Sequence, residues 1–236
     1  MSLVEDLVCA YRILAEHGVI DGYGHVSVRS DRDPQRYFLS RSLAPELVTE
    51  GDIMEYDLDS NPIDPRGREM YLERFIHGEI YKMRPEVNAV VHNHSPSIIP
   101  FGVTGVPMRP IFHMASFVGM GVPTFEIRAA QEGSDLLVRT PYLGQALAKT
   151  LGKNPAALMR GHGAVVVGES LTRAVGRSIY LETSARLQMQ AMTIAGRDGK
   201  ITYLDDREVQ ASAVMQDYKR AWNLWRTKAL ARIKAE

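Results

Sequence analysis

Val87-Asn88-Ala89-Val90-Val91-His92-Asn93-His94 is the stretch on which the fold turns. Its apolar run is short and rich in valine, the composition of a strand buried on both faces, and it ends directly in two histidines. A helix precedes it: Leu72, Phe75, Ile76 and Ile80 fall at helical spacing over residues 69–83, and Pro85 stops the pattern after Arg84. Further back, residues 53–58, 37–39 and 25–28 read as strands, the last entered through the glycine turn Gly22-Tyr23-Gly24, and Asp59-Ser60-Asn61-Pro62 is a turn. Ser2 and Glu5 have capping-box spacing, and Leu3, Leu7, Tyr11 and Leu14 predict an opening helix that ends near His17, before Gly18.

Towards the C-terminus, Thr140-Pro141 opens a helix that Gly152 ends, and residues 156–159 and 164–167 are strand-like on either side of Gly161-His162-Gly163. Ser170 caps a long helix running to residue 194, with Leu171, Val175 and Ile179 at steps of four, and a charged helical pattern runs from Asp206 onward. Strands interspersed with helices, without repeats, indicate an α/β sandwich, and the absence of a break in composition favours a single domain over residues 1–236.

The 28 basic and 28 acidic side chains cancel, and neither sign gathers into a run. A nucleic-acid patch and an anionic-membrane anchor are therefore not expected. No run of about 18 apolar residues suggests a membrane span. Cys9 is the only cysteine, which excludes an internal disulfide and suits a reducing compartment; its helical apolar surroundings predict a buried small hydrophobe. The acidic amphipathic start does not read as a leader, so a cytoplasmic protein is expected.

In an extended strand, positions i and i+2 face the same side roughly 6.5 Å apart, so His92 and His94 can converge on one ion; a pair of hydrogen-bonded core histidines is the alternative. His162 between two glycines is a credible third ligand, although Gly-His-Gly also suits a tight turn between strands. Glu73, a carboxylate on an otherwise apolar helix just ahead of the histidine strand, is the fourth candidate. On spacing alone the favoured reading is instead an exposed helix charge that can pair with His77 at i+4. Three imidazoles with an acidic fourth group suit zinc or another first-row ion.

Gly24-His25-Val26-Ser27-Val28-Arg29, Glu73-Arg74-Phe75, Ala89-Val90-Val91-His92-Asn93-His94 and Gly161-His162-Gly163 together resemble the class II aldolase and adducin superfamily. The match is ordered, spans most of the chain, and keeps the 19-residue step from Glu73 to His92 seen in the fuculose-phosphate aldolase branch. The resemblance implies a three-layer α/β/α sandwich around a mostly antiparallel sheet, usually in a homotetramer with active sites at subunit interfaces. It also implies that His92, His94 and His162 hold a divalent metal, with Glu73 as ligand and proton carrier.

The chain departs from the sugar-phosphate members in an informative way. Where they usually have Gly-Asn-Val-Ser, Thr-Pro-Thr-Gly and Ser-Ser-Glu, it has Gly24-His25-Val26-Ser27, Ser40-Arg41-Ser42-Leu43 and Tyr71-Leu72-Glu73. Small phosphate donors are replaced by His25, Arg41 and Tyr71, which with Ser40 and Ser42 suit a flat anionic ligand. His113 stands where the aldolases place a tyrosine that donates a proton across the interface; a structural histidine beside Phe112 is the alternative.

These departures resemble the decarboxylase branch, whose substrates are hydroxylated aromatic or pyridine carboxylates such as 3-hydroxy-2-methylpyridine-4,5-dicarboxylate. The expectation is a carbon-carbon lyase with one divalent metal per subunit, manganese ahead of zinc as the decarboxylase resemblance suggests, a choice that a chelating substrate in a six-coordinate site also suits. Glu73 or His113 would return a proton to carbon, and Arg41 or His25 would hold a second carboxylate. A sugar-phosphate aldolase or epimerase is the nearest rival. A non-catalytic adducin-like interaction domain is the other, and retention of the three histidines and Glu73 counts against it.

Overall fold

Side-chain alternation along seven short strands sorts the core onto two faces of one sheet. The computed structural model describes residues 2–213 and 216–235. Its strands are β1 (His25–Arg29), β2 (Arg36–Ser40), β3 (Ile53–Asp57), β4 (Ala89–Asn93), β5 (Thr124–Phe125), β6 (Ala156–Met159) and β7 (Gly163–Gly168). They lie in the order β3-β2-β1-β4-β7-β6-β5, and every pairing is antiparallel except β5 with β6.

Val26, Val28, Ala89, Val91, Ala164 and Val166 pack on one face, against α1 (Leu3–Glu16), α5 (Leu171–Ala195) and α7 (Lys219–Ile233). Tyr37, Leu39, Val90, Val165 and Val167 pack on the other, against α2 (Phe75–Met83) and α4 (Pro141–Leu151). The expected three-layer α/β/α arrangement with a mostly antiparallel sheet is the one the chain forms. Two further helices, α3 (Ile99–Thr104) and α6 (Asp206–Ala213), lie among the connections.

The predicted caps are in place. Ser2, Thr140 and Ser170 side chains accept from the backbone N–H groups of Glu5, Leu143 and Arg173 at 3.0–3.2 Å, satisfying donors that a first helical turn leaves open. Cys9 is fully buried on α1. Among the described residues no helix is long and apolar enough to cross a membrane.

Two expectations are revised. The helix predicted over 69–83 starts only at Phe75; Leu72–Arg74 form a 3-10 turn in which Glu73 leaves helical geometry (φ −89, ψ 15), and its carboxylate meets Val138 N–H and the histidines rather than a helical neighbour. The charged pattern after Asp206 forms two helices rather than one, with Tyr218 in the left-handed region (φ 54) at the start of the second. Hydrogen bonds from its hydroxyl to Met114 O and Gln216 Oε1, and its stacking on Tyr180, hold Tyr218 there.

Candidate metal centre

Strand period two sends His92 and His94 to the α2 side of the sheet, opposite Ala89 and Val91. His162 sits in the tight turn joining β6 to β7, where Gly161 supplies a positive φ of 67. Gly163 follows because β7 passes so near β4 that a Cβ there would meet Asn93 O at 1.9 Å. The 3-10 turn ahead of α2 delivers Glu73. One ligand atom from each of Glu73, His92, His94 and His162 lies within 4.8 Å of the others.

Backbone carbonyls orient two of the rings. His92 Nδ1 donates to Ala164 O at 3.2 Å and His162 Nδ1 to Leu136 O at 2.9 Å. A carbonyl only accepts, so in the neutral rings both Nε2 atoms carry lone pairs. His94 Nε2 lies 3.0 Å from His162 Nε2, and its Nδ1 faces Asp21 Oδ1 at 3.6 Å. His92 Nε2 is buried without a hydrogen-bond partner. Glu73 Oε1 accepts from Val138 N–H at 2.8 Å, leaving Oε2 at 3.5 and 3.4 Å from His92 and His162 Nε2. An orphaned imidazole nitrogen, converging lone pairs and an ionised carboxylate fit a first-row divalent cation.

The electrostatics agree. Burial opposes ionisation of Glu73, but His92 and His162 outweigh it and hold the carboxyl well below the usual carboxylate range. Burial likewise works against protonated His162, and Glu73 more than offsets it, so that pKa is raised. His94 is pushed down to about 4 by burial and by His92 and His162. A group of this kind, with one free carboxylate oxygen and three nitrogen lone pairs, can bind a cation and move a proton at Glu73 Oε2.

A cavity of about 450 Å³ opens beside the cluster, lined by Glu73 and His94 together with Tyr23, His25, Ser42, Tyr71 and Leu137. Antiparallel pairing places His25 opposite His92, with ring centroids 5.0 Å apart. Tyr71 packs against His25 at 4.5 Å and donates its hydroxyl to Leu43 O at 2.6 Å.

Two residues of the expected substrate set do not line this cavity. Ser40 is fully buried and bonded to Tyr11 and Tyr71, while Arg41 is tied to Asp52 by a 2.6 Å ion pair. His113 lines a separate cavity of about 740 Å³ with Tyr180, Tyr218 and Trp225, its ring edge-on to Phe112 at 5.1 Å. Nor does Glu73 pair with His77, which bonds to His25 and Ser27 instead.

The segment Leu136-Leu137-Val138 escaped the sequence reading. It orients His162 through one carbonyl and Glu73 through one N–H, and Leu136 is held at a left-handed φ of 73 to do so. It acts with its backbone, so no side-chain signal points to it.

The chain matches the family described as Class II Aldolase and Adducin N-terminal domain over residues 5–189. Decarboxylase tropJ of Talaromyces stipitatus is 36% identical, over 94% of this chain and 92% of its own. The 3,4-dihydroxyphthalate decarboxylase of Arthrobacter keyseri is 31% identical, over 98% of this chain and 94% of its own. Among solved structures, L-fuculose 1-phosphate aldolase from Glaciozyma antarctica PI12 superposes with a TM-score of 0.80 at 24% identity, covering 99% of this chain and 90% of that one, which shows a shared fold. The chain belongs to the class II aldolase and adducin family and, within it, to the decarboxylase branch.

Proposed function

We propose that the protein is a divalent-metal-dependent decarboxylase of hydroxylated aromatic dicarboxylates, a class containing 3,4-dihydroxyphthalate and, with a pyridine ring, 3-hydroxy-2-methylpyridine-4,5-dicarboxylate. The observation that carries this reading is the buried, partnerless His92 Nε2 among three imidazoles and an ionised carboxylate, beside a cavity walled by His25 and Tyr71. The names of the two decarboxylase relatives support the reaction class.

Glu73, His92, His94 and His162 are the residues that would hold the cation, manganese ahead of zinc. When bound, the cation supplies Lewis acidity towards negative charge that develops on substrate oxygen. The bond that breaks joins a ring carbon to a carboxylate. Its electron pair stays with the ring, carbon dioxide leaves, and the carbon takes one proton.

Within this chain Glu73 Oε2 is the group placed to move that proton, since Oε1 is fixed by Val138. His25 and Ser42 offer polar groups to the substrate's oxygens, the Tyr71 ring gives a flat wall, and Leu72 and Leu137 add apolar lining. His113 lines its own separate cavity, so it serves such a site only from a second copy. The reading therefore includes a homotetramer with interfacial sites.

Elemental analysis followed by incubation with both candidate dicarboxylates tests the proposal. One carbon dioxide per substrate, lost on chelation and restored by manganese or zinc, is the expected result. Full activity in chelated protein refutes it, as does cleavage of fuculose 1-phosphate to dihydroxyacetone phosphate and lactaldehyde.

A further inference from the structure

Four buried side chains form a hydrogen-bonded file from the cavity wall to the heart of the sheet. His25 Nδ1 lies 2.6 Å from His77 Nε2, Ser27 Oγ lies 2.6 Å from His77 Nδ1, and Tyr81 OH lies 2.8 Å from Ser27 Oγ. His25 and Ser27 are two apart on β1, so both face α2, where His77 and Tyr81 are one turn apart on the buried side. His77, Ser27 and Tyr81 are each at most 1% exposed. None of the three is used by the chemistry proposed above.

Such a file conducts polarity in one direction at a time, and its inner end decides which. At that end the Tyr81 hydroxyl has Ser27 Oγ as its hydrogen-bond partner, at 2.8 Å, and a buried hydroxyl needs an acceptor for its proton. The Tyr81 proton then goes to Ser27, the Ser27 proton to His77 Nδ1, and the His77 Nε2 proton to His25 Nδ1. Every donor has an acceptor, and the one N–H left over is on His25 Nε2, in the ring that lines the cavity. In the reverse order the Tyr81 proton would need an acceptor beyond Ser27, and a buried hydroxyl left without one is disfavoured.

We propose that His77, backed by Ser27 and Tyr81, is a positioning residue that fixes His25 as the Nε2–H tautomer, so that the cavity presents a fixed donor to an anionic substrate oxygen. The oxygen assigned is that of the carboxylate that does not leave, and this part rests on the dicarboxylate reading above. Arg41, held by Asp52 away from the cavity lining, leaves that role to His25. A donor locked in place discriminates by orientation, because an analogue lacking the second carboxylate leaves the buried N–H unpaired.

Full-length protein labelled with 15N-histidine and loaded with diamagnetic zinc tests this by long-range proton–nitrogen correlation, alongside dissociation constants for phthalate and benzoate. The wild type should show His25 protonated on Nε2. His77→Phe should mix the His25 tautomers and weaken phthalate at least tenfold, with a clearly smaller effect on benzoate. His77→Gln, whose amide can donate to His25 Nδ1, should restore both readings to near wild type. If His77→Phe does not fold, Ser27→Ala, which frees His77 to reverse its tautomer, carries the same test.

A wild-type His25 protonated on Nδ1 overturns the inference. So does a His77→Phe protein with unchanged His25 tautomer and phthalate affinity. Failure of the decarboxylase reading looks different: the tautomer stands as stated while no carbon dioxide is released from any dicarboxylate.

Discussion

Replacing Glu73 by glutamine separates the ways in which that residue can matter. The residue is 7% exposed, with Oε1 on Val138 N–H at 2.8 Å and Oε2 3.5 and 3.4 Å from His92 and His162 Nε2. Glutamine has the same shape; its carbonyl keeps the Val138 bond and its amide faces the two imidazole nitrogens. The metal-free variant should therefore melt below metal-free wild type, because the ionised carboxylate that His92 and His162 favour has been replaced by a neutral amide. Three imidazoles remain, so metal should still bind near one per chain in excess metal. Turnover should fall by about 10²–10⁴, the usual worth of a positioned acid/base, or about 3–5 kcal/mol in barrier at 1.36 kcal/mol per decade. Elemental analysis, thermal melts and carbon dioxide release on one preparation read all three. Full metal occupancy with turnover within threefold of wild type would refute the assignment of proton transfer to Glu73.

Three further outcomes follow from the same geometry. His92→Ala removes the partnerless nitrogen, and both bound metal and activity should fall to background; activity surviving without metal contradicts the proposed centre. Gly163→Ala would place a Cβ 1.9 Å from Asn93 O and force β7 off β4, which should cost on the order of 3 kcal/mol, measurable by denaturant titration; a loss under about 0.5 kcal/mol would show that the strands can shift freely. Acid should destabilise the fold early. Burial and the neighbouring His92 push His77 down to about 3, and burial followed by His77 and His92 holds His25 well below its ordinary value. Both stay neutral in the fold while the unfolded chain takes up protons below about 6.5. The stability they contribute is complete above that pH and lost as pH falls towards 3, at about 1.4 kcal/mol per pH unit for each. His77→Gln should reduce the slope between pH 6.5 and 5 by about one proton, and an unchanged slope is the contrary result.

The legible parts of the molecule were those whose physics is local. Valine-rich strands, capped helices and the i, i+2 spacing of His92 and His94 depend on neighbours in sequence, and the fold has them where that spacing puts them. Glu73 was different. Its local spacing pointed to His77, and only resemblance moved it towards the histidines; in the fold His77 is claimed by His25 and Ser27, residues some fifty positions away. The ion pair that holds Arg41 away from the cavity is set by Asp52 across a loop, and no periodicity reports such a contact. Two-residue β5 is too short to show any period. The clamp at Leu136 and Val138 is made of a carbonyl and an N–H that every residue owns, so its position is fixed only once the chain has folded.

The register of β1 on β4 ties these features into one design. Opposing His25 to His92 puts a cavity-wall imidazole beside a candidate ligand, and a slip of one residue would turn His92 and His94 towards α1 and α5. Close approach at Gly163 pins β7 against the other edge of β4 and brings the His162 turn within reach. On the proposed function, metal affinity and substrate recognition share a scaffold but not their supports. Loosening β4 against β7 should degrade both, because it moves His92 and His94 relative to His162 and carries the His25 wall with them. Disturbing the file behind His25 should leave the metal bound and blur only the choice among carboxylates. A His77 variant that lost metal as readily as Gly163→Ala would show that the two functions cannot be separated.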